Sequence, residues 1–165
     1  ETISQAAQRG KIADLPDGGI IRADGGKAWD PAWFDFLRAS CPDTVNPALW
    51  RHAQLNAISG LFEVTDGVWQ VRSADYANMT IISGETGWII VDPLLTRETA
   101  RAALNLVNAT CGERPVSAVL VTHTHADHFG GLGGVVEGGA LDRDGLAEVG
   151  VAPQQRPDFA PAPAQ

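Results

Sequence analysis

Between Val121 and Phe129 the chain reads Thr122-His123-Thr124-His125-Ala126-Asp127-His128, three imidazoles and a carboxylate in the order His-x-His-x-Asp-His. The chain has 4 histidines in all, and only His52 stands elsewhere. Imidazole nitrogen and carboxylate oxygen both bind Zn²⁺ and similar divalent ions. One ion does not take four ligands comfortably from so short a loop, whereas two neighbouring ions can share them, an arrangement used for hydrolysis. Two cations close together lower the pKa of a shared water, so that hydroxide exists near neutral pH, and they polarise an ester oxygen. The competing reading is a turn of solvated polar residues. A metal site is preferred because a core strand seldom ends in three histidines without a use for them.

Such a loop needs elements to hold it. Val116–Val121 is apolar and β-branched and reads as a buried strand; Phe129–Gly134 is too glycine-rich to continue it. The cluster therefore sits on a loop at a strand end, where scaffolds present their chemistry. Before the strand, Ala100, Ala103, Leu104 and Val107 form an amphipathic stripe, predicting a helix over 96–110 with Thr96 as N-cap and Gly112 as its stop. Earlier still, alternation in Gly67–Arg72 and Asn78–Ile82, a tight turn at Gly84–Gly87 and the run Trp88–Asp92 predict an antiparallel meander over 61–92. Strand, helix, strand is a crossover unit, so the strands flanking the helix are expected to be parallel. Asp92 then ends a buried strand at the sheet edge that carries the histidine loop. A carboxylate there can accept a hydrogen bond from a ligand histidine or from loop amides. A plain turn aspartate is the alternative. Upstream, Pro31–Ala39 is a candidate short helix with Trp33, Phe34, Phe36 and Leu37 on its buried face. His52, in a polar stretch, reads as a surface histidine.

The block Thr122–Gly131 after a hydrophobic strand resembles the signature of the metallo-β-lactamase superfamily. Its flanks, Asn46–Asn56, Gly60–Arg72, Ala77–Ile82, Gly84–Pro93 and Glu98–Ala100, with Leu15–Gly19 and Trp29-Asp30 upstream, are similar to the alkyl sulfatase branch. This resemblance implies an α/β fold, half of an αββα sandwich made of meander, helix, strand and metal-binding loop, with an irregular tail. It implies two zinc ions per complete site, His123 and His125 binding the first, Asp127 and His128 the second, with Asp127 also orienting the nucleophilic water. It implies an alkyl sulfate ester such as dodecyl sulfate as substrate, attacked by a bridging hydroxide, and homodimeric full-length relatives. Other hydrolases of the superfamily, acting on thioesters, lactams or phosphoesters, remain the alternative for substrate, and a non-catalytic fragment remains the alternative to an enzyme.

The expected organisation is an N-terminal segment of turns and short helices over 1–59, a partial metallo-β-lactamase-like domain over 60–136, and a glycine-, proline- and alanine-rich disordered tail over 137–165. Past Gly134 the resemblance stops. Family enzymes close the site with further ligands downstream, and the remainder here holds no histidine or cysteine. Its carboxylates, Glu137, Asp142, Asp144, Glu148 and Asp158, stand in no familiar context. The reading is therefore an N-terminal fragment, or a truncated product with an unrelated end. The chain begins at Glu1 without methionine or a visible signal peptide, which leaves a lost leader open. A net charge of −8 argues against nucleic acid or an anionic membrane as partner. No run is apolar for long enough to suggest a membrane span. Cys41 and Cys111 match no zinc or redox spacing and read as thiols.

Overall fold

A computed structural model describes residues 3–136. The elements are α1 (Ile3–Ala7), β1 (Lys11–Ala13), β2 (Ile20–Ile21), β3 (Lys27–Trp29), a 3₁₀ helix (Pro31–Arg38), α2 (Pro47–Asn56), β4 (Gly60–Thr65), β5 (Val68–Arg72), β6 (Met79–Ser83), β7 (Trp88–Val91), α3 (Arg97–Cys111), β8 (Val116–Leu120), a 3₁₀ turn (Ala126–His128) and α4 (Leu132–Val135). Six strands form one sheet in the order β1-β4-β5-β6-β7-β8. Every neighbouring pair is antiparallel except β7 with β8, which are parallel and joined through α3. The meander, helix and crossover strand fall where the sequence pattern puts them.

The sheet buries one face against α3. Trp69, Ile81, Ile90 and Val119 stand in register across β5–β8, so they point to one side. Met79, Ile81, Trp88, Ile90 and Val71 are essentially inaccessible, as are Ala100, Ala103 and Val107 of α3. Trp88 anchors the layer: its ring meets Trp69 edge-on at 5.5 Å, and its indole N–H donates to Asn108 Oδ1 on α3 at 2.7 Å. α3 begins with a reciprocal capping box in which the Thr99 amide donates to Thr96 Oγ1. No helix among the described residues is long and apolar enough to cross a membrane. Cys41 and Cys111 are free thiols.

The N-terminal segment departs from expectation in two respects. It contributes β1 as an edge strand of the main sheet and pairs β2 with β3 as a separate hairpin. Pro47–Asn56 forms the short helix α2, capped by Asn46. And Pro31–Arg38 winds as a 3₁₀ helix that buries Leu37 but leaves Trp33 and Phe36 exposed, contrary to the four-residue apolar face read from the sequence. At three residues per turn, positions i and i+3 eclipse. Phe34 and Leu37 therefore share the inward face, while Trp33 and Phe36 share an outward one.

Candidate metal centre

Three loops leave the sheet at one end. Val71 pairs with Met79, Thr80 with Val91, and Val91 with Leu120. The turn after β5, the turn after β7 and the histidine loop after β8 therefore share one sheet edge. This is the placement that the crossover predicts for Asp92 and the histidines.

The turn after β7 is strained and firmly held. Asp92 and Leu94 are non-glycine residues at φ 55° and 65°, on either side of Pro93. Each such residue costs about 1–3 kcal/mol unless its surroundings fix it. The Leu94 amide donates to Asp92 O at 2.8 Å, closing a three-residue turn about Pro93, and the Asp92 amide donates to Leu120 O at 2.9 Å. Leu94 is completely buried, so its side chain pins the turn from below.

Asp92, 7% exposed, reaches across to the histidine loop. It accepts from the Thr122 amide at 2.8 Å, from Thr122 Oγ1 at 2.7 Å and from His128 Nδ1 at 2.8 Å. An ionised carboxylate only accepts, so these bonds fix protons elsewhere. His128 carries its proton on Nδ1, leaving Nε2 bare. The Thr122 hydroxyl donates to Asp92 and therefore accepts at 2.9 Å from His123 Nδ1, so His123 Nε2 carries no proton and accepts from His125 Nδ1 at 3.0 Å. These tautomers follow from the hydrogen-bond network. In both rings the nitrogen without a proton is the one a cation can use, and the other is held by oxygen, the usual bracing of a metal-binding histidine.

Burial pushes the Asp92 carboxyl up, but the bonds from the Thr122 amide, His128 and the Thr122 hydroxyl outweigh it, and the pKa lies below the usual carboxylate range. A lowered native pKa means that the unfolded chain takes the proton first. The resulting stability is present above the unfolded value of about 4 and is lost as pH falls through the native one. Urea titrations of the metal-free chain at several pH values are expected to show stability declining below about pH 4, with a shallower decline in Asp92→Asn. An identical pH slope in that variant would show that Asp92 does not hold the loop.

The donors fall into two pairs. His123 Nε2 lies 3.0 Å from His125 Nδ1, and His128 Nε2 lies 3.4 Å from Asp127 Oδ2. The His123 and His128 ring centroids are 4.0 Å apart, which places the pairs side by side. Two ligands of one tetrahedral zinc, each about 2.0–2.1 Å from it, stand roughly 3.3 Å apart. The donor types and the spacing within each pair thus fit a divalent cation. Among the described residues, however, no group of three or more His, Cys, Asp or Glu side chains is arranged to hold an ion. The four residues read as ligands come together, but as two half-sets. His52 lies exposed on α2.

Some residues on which the site depends are silent in the sequence reading. Thr122 relays between Asp92 and His123; its place beside the first histidine is the only sequence sign of that. Gly130 and Gly131 do more than end a strand. A Cβ on Gly131 would lie 2.1 Å from Pro93 O and 2.7 Å from both Thr96 O and the Ala100 Cβ, and one on Gly130 would lie 2.2 Å from Leu95 O. The loop's far end thus lies backbone to backbone on the turn after β7, and the Gly131 amide donates to Leu94 O at 2.8 Å. The carboxylates Glu137, Asp142, Asp144, Glu148 and Asp158 lie outside the described residues.

Comparison with known proteins gives this geometry a lineage. The chain is 49% identical over 139 residues to a linear primary-alkylsulfatase of a Pseudomonas species, covering 83% of this chain and 21% of that protein. It is 50% identical over 132 residues to an alkyl/aryl-sulfatase of Saccharomyces cerevisiae, covering 79% and 20%. The solved structure of a stereoselective inverting sec-alkylsulfatase from Pseudomonas superposes with a TM-score of 0.75 at 49% identity, over 81% of this chain and 21% of that one. The chain thus spans about a fifth of the length of the relatives it matches. The family model for the metallo-β-lactamase superfamily matches residues 72–154. That range continues beyond Gly134, where the sequence reading ends the resemblance. It takes in half of the chain, including β6, β7, α3, β8 and the histidine loop, and the chain belongs to the metallo-β-lactamase superfamily.

Proposed function

We propose that the chain carries the amino-terminal share of a zinc-dependent alkyl sulfatase site, which in a whole protein hydrolyses alkyl sulfate esters such as dodecyl sulfate. The observation that carries this reading is identity near 50% to sulfatases across about four-fifths of the chain, histidine loop included. In this reading His123 and His125 hold the first ion, and Asp127 and His128 the second. Asp127 also orients the attacking water, and Asp92 keeps His128 turned toward the ion. Bound zinc supplies Lewis-acid polarisation of the ester and acidifies water. The substrate is an anion and the chain is acidic overall, so attraction has to be local to the metals. Homodimeric assembly of the full-length protein belongs to the same reading.

The test is a chimera. The 139 aligned residues of this chain replace their counterparts in the linear primary-alkylsulfatase. Hydrolysis of dodecyl sulfate is expected, with loss of turnover in His123→Ala. A chimera that cleaves a lactam, thioester or phosphoester but leaves dodecyl sulfate intact would transfer the site to another hydrolase of the superfamily. A second reading is favoured by the absence of any three-donor group among the described residues: by itself the chain is at most a weak metal binder.

A further inference from the structure

We propose that Asp75 is a positioning residue for the histidine loop, acting through Thr99 and the 93–96 turn. The functional meaning of this rests on the metal-site reading above; the mechanical claim does not. Asp75 sits between β5 and β6 and is 5% exposed. Its Oδ2 accepts from the Leu95 amide at 3.1 Å and from Thr99 Oγ1 at 2.5 Å, and its Oδ1 accepts from the Tyr76 amide at 2.6 Å.

Proton bookkeeping gives this contact a direction. Thr99 has one hydroxyl proton and two acceptors for it, Asp75 Oδ2 at 2.5 Å and Thr96 O at 3.0 Å; the shorter, charge-assisted bond to the carboxylate takes it. Thr99 Oγ1 must then accept from its other neighbours: from Thr96 Oγ1 at 2.9 Å and from the Thr96 amide at 3.3 Å. The order is Thr96 to Thr99 to Asp75, with every buried hydroxyl satisfied. This chain fixes Leu95 and Thr96 at once. Those two residues, with Pro93 and Leu94, present the carbonyls on which Gly130 and Gly131 rest. Asp92 therefore clamps the histidine loop at Thr122 and His128, while Asp75 fixes the platform under its glycine end. An amide cannot replace the Asp75 carboxylate, because donors face both oxygens and an asparagine has only one.

The experiment is amide hydrogen exchange on the full metal-free chain. Thr99→Val, nearly isosteric, removes only the hydroxyl. It is expected to speed exchange at Leu95 and Gly131 about tenfold or more relative to Ile81 in the central strand β6. Thr99→Ser restores protection, and Asp75→Asn raises exchange at the same two amides. Val107→Ala, a core truncation elsewhere on α3, lowers stability without singling them out. The proposal is overturned if Thr99→Val and Asp75→Asn change Leu95 and Gly131 only in step with Ile81, or if Ser fails to rescue. The chimera described above tests the metal reading separately. Unchanged dodecyl sulfate turnover in its His123→Ala variant, with the selective exchange intact in this chain, refutes the metal reading and leaves Asp75 as the support of the loop.

Discussion

After dialysis against metal-free buffer, the chain is expected to retain less than one zinc ion per molecule and to hydrolyse dodecyl sulfate at least about a hundredfold more slowly than a full-length alkylsulfatase. The reasoning is a ligand count. A catalytic zinc normally takes three protein ligands before water completes its shell. His123 with His125, and His128 with Asp127, offer two each. A supporting hydrogen bond alone is worth about 10–100-fold in affinity or activity, so a missing ligand costs more. The two proton-free Nε2 atoms and the braced rings prepare the half-sites, but they do not raise the count. Metal analysis beside a dodecyl sulfate assay decides the matter. Two tightly held zinc ions with robust turnover would place further donors outside the described residues or on a second chain. Loss of that turnover in His123→Ala would still assign the loop.

Gly131→Ala is expected to destabilise the chain by about 3 kcal/mol, lowering Tm by roughly 6–12 °C, and to abolish what metal binding the loop has. The added methyl meets backbone on two sides and α3 on the third, and none of these can swing away as a surface side chain would. Pro93 O and Thr96 O belong to the same turn that carries Asp92, so relieving the clash moves the carboxylate that fixes His128. Gly133, whose Cβ would meet only the Arg97 side chain at 3.5 Å, supplies the control: Gly133→Ala should leave Tm nearly unchanged. Equal melting temperatures for the two variants would show that the close approach at Gly131 can relax without cost.

The sequence discloses those parts of the fold that repeat a pattern. Period-2 alternation marks the meander, and the Ala100, Ala103, Leu104, Val107 stripe marks α3, with Thr96 capping it as its residue type suggests. What repeats only two or three times stays hidden. β1, β2 and β3 are too short to show alternation, and α2 has no buried residue to reveal a stripe. The histidine loop is legible because its side chains are rare and crowded. Asp92 is legible because a strand ends there. Asp75 is not: in Ser73-Ala74-Asp75-Tyr76 it reads as one more turn residue, and only the tertiary fold shows that it lies beneath Leu95 and Thr99.

The lone parallel pairing, β7 with β8, has a consequence for the order in which the molecule assembles. β4 to β7 close through short turns, whereas β8 docks only after α3 has carried the chain across the sheet. Contacts between neighbours form quickly, and those that close a long loop form late. Asp92 meets Thr122 and His128 across 30 and 36 positions of sequence, so these bonds belong to the late set. Substitutions at this edge should therefore accelerate unfolding while leaving the refolding rate nearly untouched, since a nucleus in the meander forms without them. The residues that hold the histidines act mainly on how long the native molecule lasts once made, and little on how fast it is reached.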